Sequence, residues 1–180
     1  MVTATNTKRG FTIVELLVVI VVIAILAAIT IVAFNGVQNR ANDTVVKSDI
    51  SNFVKVIRQQ EVLQGGLPKA GSQSGNSTAF PGVSFRPSKS AYDTSVNNFY
   101  YCTGYRADTG QESFIITARS RSGTYFIYTP EQGTQTFSSG STSSNCYGTG
   151  NSIWNGTAGT DYGYSYGYYT TTNTWWNWTN

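Results

Sequence analysis

Apolar and polar positions change period along this chain, and the first segment is almost purely apolar. Residues 11–34 read FTIVELLVVIVVIAILAAITIVAF and carry one charge, Glu15. The nineteen residues Leu16–Phe34 have none. As a helix they would span about 28 Å, close to the ~30 Å hydrocarbon core of a bilayer. The pattern predicts a transmembrane helix. The alternative is a core helix of a soluble protein, which the remaining chain is too small and polar to surround.

The flanks of this run decide between a retained helix and a removed secretory signal. Lys8 and Arg9 precede it, as in a signal peptide, but a secretory apolar region has about 7–15 residues and ends at a small-residue cleavage site. Here Ala27 and Ala28 are followed by more isoleucine and valine. Positive charge before the run, with no basic cluster just after it, predicts a cytoplasmic N-terminus. We expect the rest of the chain to be exported on one retained helix.

Residues 35–64 change to the period of an amphipathic helix. Their apolar positions step by four, three and four residues, which places them on one helical face: Val46, Ile50, Phe53 and Ile57. No proline occurs between Phe11 and Leu67, and the next strong stop is the pair Gly65-Gly66. The pattern predicts one helix from Ile13 to Leu63 whose second half lies on a folded head. Asn35-Gly36 is its weakest point, because both residues are poor helix formers.

After Pro68 the sequence becomes rich in glycine, serine and asparagine, and strand patterns follow. Four short runs of β-branched and aromatic residues are separated by turn residues: 97–105, 113–119, 124–129 and 134–138. Three or four antiparallel strands against the helical stripe would form a small head. The predicted class is α+β, with a head over residues 65–150 and a tail rich in glycine, tyrosine and tryptophan over residues 151–180.

Composition narrows the function classes. The chain has no histidine and two cysteines, so neither a common zinc spacing nor the usual catalytic base is available, and we expect no enzyme, metal or cofactor. Without residues 1–10 the chain has 10 basic and 9 acidic side chains. A phosphate footprint needs clustered cations. Strong nucleic-acid binding is therefore not expected, unless scattered arginines cluster in space: Arg86, Arg106, Arg119 and Arg121.

The N-terminal sequence, a basic leader ending in Gly10 and then FTIVELLVVIVVIAIL, resembles type IV pilins and pseudopilins. The resemblance implies cleavage after Gly10 by a membrane peptidase, methylation of the new amino terminus on Phe11, and an assembly role for Glu15. In that family the glutamate is thought to pair with the amino terminus of a neighbouring subunit. The resemblance also implies the predicted fold, a long N-terminal helix against a small antiparallel sheet.

The resemblance further implies partners and a location. The precursor would be a bacterial single-pass protein of the cytoplasmic membrane, handled by a prepilin peptidase, a cytoplasmic ATPase and a membrane platform. It would then become one of many copies in an extracellular helical filament that serves adhesion or twitching motility. Two alternatives stay open: a minor pilin that acts as an adhesin on a cell surface or polysaccharide, and a pseudopilin of a secretion or DNA-uptake system.

The two cysteines, Cys102 and Cys146, lie on the part of the chain predicted to be exported, where a disulfide is the simplest expectation. A bridge would close a loop worth roughly 3–4 kcal/mol in the chain-entropy model. Two free thiols are the alternative. Many pilins close their C-terminal region with a disulfide, so the resemblance favours the bridge.

The last thirty residues hold an unusual set of aromatic side chains on a glycine-rich background. Such rings suit stacking on sugars or on amphipathic partners. Three interpretations remain open: a strand-forming part of the head core or subunit packing, an adhesive surface, and a disordered segment. The candidate adhesive residues are Tyr162, Tyr164, Tyr166, Tyr168, Trp175, Trp176 and Trp178.

Overall fold

The computed structural model describes residues 10–69, 84–106, 109–137, 163–175 and 179. The chain begins with one long helix, α1, and continues through a short 3-10 helix into strands. Their bounds are α1 Ile13–Gln64, the 3-10 helix Lys89–Ala91, β1 Asn98–Tyr105, β2 Glu112–Arg119, β3 Tyr125–Thr129, β4 Gly133–Phe137, β5 Gly163–Tyr169 and β6 Thr174–Trp175.

The chain divides into two compact units, Met1–Gln38 and Asn39–Asn180. In the first unit, every described residue is exposed, including all the large aliphatic side chains from Ile13 to Val37. Among the described residues, α1 alone has a window long and apolar enough to cross a membrane, with a mean hydropathy of 3.4. Apolar surface of this extent marks a site that is covered by lipid or by other protein.

In the second unit, one face of α1 supplies the centre of the core. The predicted stripe of Val46, Ile50, Phe53 and Ile57 is confirmed, since each of these residues is fully buried. The Phe53 ring is surrounded by other rings, with centroids 4.9 Å away at Phe85, 5.2 Å at Phe99 and 5.8 Å at Tyr101. The pairs with Phe99 and Tyr101 are edge-to-face, an arrangement that adds stabilisation beyond the burial of the ring area.

The sheet has six strands in the order β4-β3-β2-β1-β5-β6, and every neighbouring pair is antiparallel. The predicted α+β class and the first four strands are confirmed. Strands β5 and β6 come from the segment that the sequence set apart as a tail. Because β5 pairs with β1, part of residues 151–180 belongs to the sheet of the head.

The end of α1 shows why the predicted stop is effective. Gly65 has a positive φ of 74°, a conformation that glycine adopts without steric cost. The N–H of Gly66 donates to the carbonyl of Glu61 at 3.1 Å. This is the 6→1 hydrogen bond of a Schellman motif, which satisfies a carbonyl at the helix end. The helix runs through Asn35-Gly36 without a break.

A buried asparagine fixes the start of the central strand β1. The side-chain amide of Asn98 donates to the carbonyls of Asp93 and Arg119, both at 2.8 Å. Its oxygen accepts from the N–H groups of Phe99 and Arg119 at 2.8 and 2.7 Å. All four hydrogen-bonding positions of the amide are therefore used. The next residue, Phe99, has a φ of 56°, and its side chain lies close to Gly167, where an added Cβ would be 3.3 Å from the Cβ of Phe99.

Two carboxylates on α1 hold the helix to the rest of the second unit. Asp43 accepts hydrogen bonds from the hydroxyls of Ser122 at 2.5 Å and Thr124 at 3.2 Å, in the β2–β3 turn. Asp49 accepts from the N–H of Ser88 at 2.7 Å and from the hydroxyl of Tyr92 at 3.0 Å. These contacts select one placement of the amphipathic half on the sheet, since apolar packing alone specifies it less sharply.

Candidate functional site

The predicted cleavage position lies on exposed, non-helical backbone. Residues 10–12 precede the helix, Gly10 is exposed, and the side chain of Phe11 is 84% exposed. A Cβ placed on Gly10 would meet no atom within 4 Å. The described chain therefore leaves the Gly10–Phe11 peptide bond open to an enzyme, directly before the helix that the enzyme would leave intact.

Thr12 and Glu15 form a reciprocal cap at the start of α1. The backbone N–H and the hydroxyl of Thr12 both donate to Oε2 of Glu15 at 2.9 Å. In return, the N–H of Glu15 donates to Oγ1 of Thr12 at 3.2 Å. This is the geometry of a capping box, in which threonine is the N-cap and glutamate is the third helical residue. The cap fixes the residue at which the helix begins and holds the carboxylate beside it.

The resemblance implies a different partner for Glu15, namely the amino terminus that cleavage would create on Phe11 of a neighbouring subunit. In the uncut chain the nitrogen of Phe11 is part of a peptide bond, and the carboxylate is held by Thr12. The T-x-x-E spacing in TIVE is the standard signal for this cap and identifies Thr12 from the sequence. The assembly role assigned to Glu15 stays a prediction.

The family model that matches this chain covers this same end. Residues 5–31 match the family model of the prokaryotic N-terminal methylation motif. A curated relative, the type IV wide pilus major component PilA4 of Thermus thermophilus, is 48% identical over 56 residues. Over this aligned segment the chain is similar to a type IV pilin. The segment is 31% of this chain and 40% of the relative, so the chain matches less than half of the relative's length. No solved structure matches it.

The one described cysteine lies in the central strand. Cys102 is 2% exposed in β1, between β2 and β5, and it is not a free thiol. Its predicted partner, Cys146, lies outside the described residues. The Cys102–Cys146 pairing therefore stays a prediction.

The candidate adhesive aromatics do not share one environment. Tyr168 lies in β5 and is only 3% exposed. Its ring packs against Trp175, with ring centroids 5.4 Å apart, so this side chain is not available for adhesion. Trp175 is half-buried against the core. Tyr164 and Tyr166 lie in β5, where only their backbone is described. Three positions lie outside the described residues: Tyr162, Trp176 and Trp178.

The arginines considered for nucleic-acid contact have unequal surroundings. Arg106 forms an ion pair with Glu131, and Arg119 lies 3.0 Å from a carboxylate oxygen of Asp93. The guanidinium of Arg119 also lies over the ring of Tyr125 at 4.9 Å. Two of the four cations are therefore locally compensated by carboxylates.

Proposed function

We propose that this chain is a subunit of a type IV pilus-like filament, cut after Gly10 by a prepilin peptidase and methylated on Phe11. The strongest support is the coincidence of the methylation motif with the geometry at its end. An exposed, non-helical Gly10–Phe11 bond stands immediately before a capped helix. A peptidase that reads this motif requires an accessible backbone at that bond.

The exposed apolar surface of the first unit fits a subunit that lies first in a membrane and then in a filament. The precursor would be anchored by residues 11–34 in the cytoplasmic membrane, with its N-terminus inside and its head outside. In a filament, the same apolar surface would pack against copies of itself. Both environments cover the aliphatic side chains that one isolated chain leaves exposed. Assembly would use the ATPase and membrane platform of such systems.

Glu15 would change partners on assembly. In the precursor its carboxylate accepts two hydrogen bonds from Thr12, one from the N–H and one from the hydroxyl. In the filament, the methylated ammonium on Phe11 of a neighbouring copy would be its counter-charge. A buried charge with one obligatory partner specifies register more than it adds stability. The pairing would thus set where each new subunit stops along the filament axis.

A tail adhesin is less well supported than a structural subunit. The burial of Tyr168 and the pairing of β5 with β1 favour a packing role for the described part of the tail. Removal of residues 151–180 would then take away a neighbour of the central strand, and we expect it to unfold the head. A role in adhesion, in motility or in a pseudopilus depends on which assembly machinery accepts the chain.

The deciding experiment is the intact mass, with terminal peptide mapping, of material sheared from the cell surface. We expect a chain that begins at methylated Phe11. The same spectrum tests the Cys102–Cys146 bridge, since a bridged chain is lighter by two hydrogens than its reduced form. An uncut chain that begins at Met1 and occurs only in membranes would overturn the proposal.

A further inference from the structure

A small cleft lies on the head beside the 3-10 helix and is unrelated to the processing end. Its volume is about 210 Å³. Pockets for drug-sized ligands run to roughly 300–1,000 Å³, so this cleft has room for a single small ring. The described residues that line it are Lys89, Ser90, Tyr92, Asp93, Thr94 and Arg121.

Among the described residues that line the cleft, cationic side chains outnumber carboxylates. Lys89 and Arg121 contribute two cations, and Asp93 contributes one carboxylate. That carboxylate is already compensated, because Arg119 lies 3.0 Å from one oxygen and the N–H of Ser95 donates to the other at 2.8 Å. Within the described part of the chain no carboxylate forms an ion pair with Arg121. An anionic group entering the cleft would therefore meet cationic donors.

The backbone around Arg121 is fixed, so its position at the cleft does not depend on a loose loop. Its N–H donates to the carbonyl of Ala91 at 2.7 Å, and the neighbouring Ser120 forms a β-bridge with Tyr92. These contacts join the β2–β3 turn to the segment that follows the 3-10 helix. The two walls of the cleft are thus connected by main-chain hydrogen bonds.

An aromatic ring adjoins the cationic side. Trp175 packs against Tyr92 with ring centroids 5.4 Å apart, and the ammonium of Lys89 lies 5.8 Å from the Trp175 ring centre. Trp175 is only partly buried, so part of the indole remains exposed near Lys89. Sugar rings are bound by this combination of an aromatic surface with hydroxyl and carboxylate hydrogen-bonding groups.

We propose that this cleft binds one acidic sugar unit of a polysaccharide, with the sugar carboxylate between Lys89 and Arg121. Ser90 and Thr94 offer hydroxyls for the sugar's own hydroxyl groups, and Trp175 provides an apolar edge. The site belongs to the folded head and does not depend on the proposed filament. Repetition of the site along a filament would raise avidity by about 10²–10⁴, and this step alone rests on the proposed function.

The test is a titration of the full-length chain in mild detergent with tri-galacturonic acid, followed by calorimetry. We expect saturable binding that the double variant Lys89→Ala/Arg121→Ala weakens by about tenfold or more, as expected for lost charge-assisted hydrogen bonds. The matched control is Arg86→Ala, an exposed arginine that does not line the cleft. It should leave binding unchanged, and thermal unfolding of each variant verifies that the head is folded.

Titrations with three other ligands show which chemical class of ligand the cleft prefers. Equal binding of a neutral maltotriose would overturn the proposal, and so would failure of tri-galacturonic acid to bind. Tighter binding of glucose 6-phosphate would reassign the site to phosphate, and tighter binding of a short single-stranded oligonucleotide to nucleic acid. If dispersed chains bind but sheared material shows no gain in avidity, the avidity step is overturned while the cleft stands. The filament proposal is tested separately by the intact mass of the sheared material.

Discussion

The two halves of α1 have the same backbone conformation and opposite surroundings. Every described residue up to Ala41 is exposed, although most of them are apolar. In the second half, five residues are buried, and they follow one face: Val46, Asp49, Ile50, Phe53 and Ile57. The comparison teaches that one helix can be stabilised by its own head over one half and depend on lipid or other copies over the other.

The two halves of α1 also differ in which residues donate hydrogen bonds to their carboxylates. The donors to Glu15 belong to Thr12, three residues away on the same turn. The donors to Asp49 belong to Ser88 and Tyr92, about forty residues further along the chain. The first carboxylate is therefore held without any tertiary fold and is free to take a new partner. The second carboxylate is held only when the head is folded.

The largest effect is expected from Glu15→Gln, measured as the yield of sheared filaments. Glutamine also completes a capping box, so the start of α1 should be kept. The charge is lost, and a partner ammonium buried without its counter-ion costs roughly 3–5 kcal/mol. We expect the yield of sheared filaments to fall more than about a hundredfold, while cleavage after Gly10 and the thermal unfolding of the head stay unchanged.

The matched control is Thr12→Val, which keeps the side-chain shape and the Glu15 charge but removes the hydroxyl of the cap. Loss of an N-cap costs about 1 kcal/mol, so we expect a much smaller decrease in filament yield. If Glu15→Gln leaves the yield nearly unchanged while Thr12→Val lowers it, then Glu15 acts through the cap and not through its charge.

The next largest effect is expected from Phe53→Ala, which tests whether the second half of α1 depends on the head for its stability. This variant removes a fully buried ring that packs against the rings of Phe85, Phe99 and Tyr101. Burial losses of this kind cost about 3–5 kcal/mol, which we expect to lower the unfolding temperature of the head strongly. The control is Leu63→Ala on the same helix, where the side chain is 69% exposed. Its expected change in unfolding free energy is within about 0.5 kcal/mol.

The same Phe53→Ala variant also tests the independence of the first unit. Since the cap at Thr12 and Glu15 uses residues of that turn alone, processing after Gly10 should continue in this variant. Terminal peptide mapping of membrane fractions measures this. An uncut Phe53→Ala chain would mean that the peptidase requires a folded head.

Local signals were sufficient for much of this fold. The apolar run, the four-three-four spacing of the buried stripe and the Gly65-Gly66 stop predicted α1 to within one residue at its C-terminal end. Strands β1 to β4 were predicted because β-branched and aromatic runs alternate with turn residues. The processing positions came from a short motif in register, and the match to the methylation model covers the same residues.

The remaining features depend on long-range contacts that a local pattern does not encode. Strand β5 has the sequence GYSYGYY, which lacks aliphatic residues, and its partner β1 lies about sixty residues earlier. The sequence left three interpretations open for this segment: a strand, an adhesive surface and a disordered segment. No local pattern around Asp49 predicts its burial, because the groups that donate to its carboxylate belong to Ser88 and Tyr92.

The smallest effect is expected from Asp49→Asn, whose influence on the unfolding free energy of the head depends on pH. Burial raises the pKa of Asp49 above its ordinary value of 3.8, although hydrogen bonds from Ser88 and Tyr92 act in the opposite direction. The folded state therefore binds a proton more tightly than the unfolded state, and its stability falls as pH rises from below 3.8 through the raised pKa. Asparagine keeps an oxygen for both donors and removes the buried charge.

We therefore expect Asp49→Asn to raise the unfolding free energy by on the order of 1 kcal/mol at pH 7 and by less at about pH 3.5. Urea unfolding at the two pH values, followed by near-ultraviolet circular dichroism, measures the difference.

Tyr92→Phe should lower the unfolding free energy, because it keeps the buried ring but removes a donor to the carboxylate of Asp49. Its destabilisation should be larger at pH 7, where the carboxylate is ionised. If Asp49→Asn destabilises the head equally at both pH values, the charge of Asp49 is better accommodated than its burial indicates, and the contact with Ser88 and Tyr92 then requires a carboxylate.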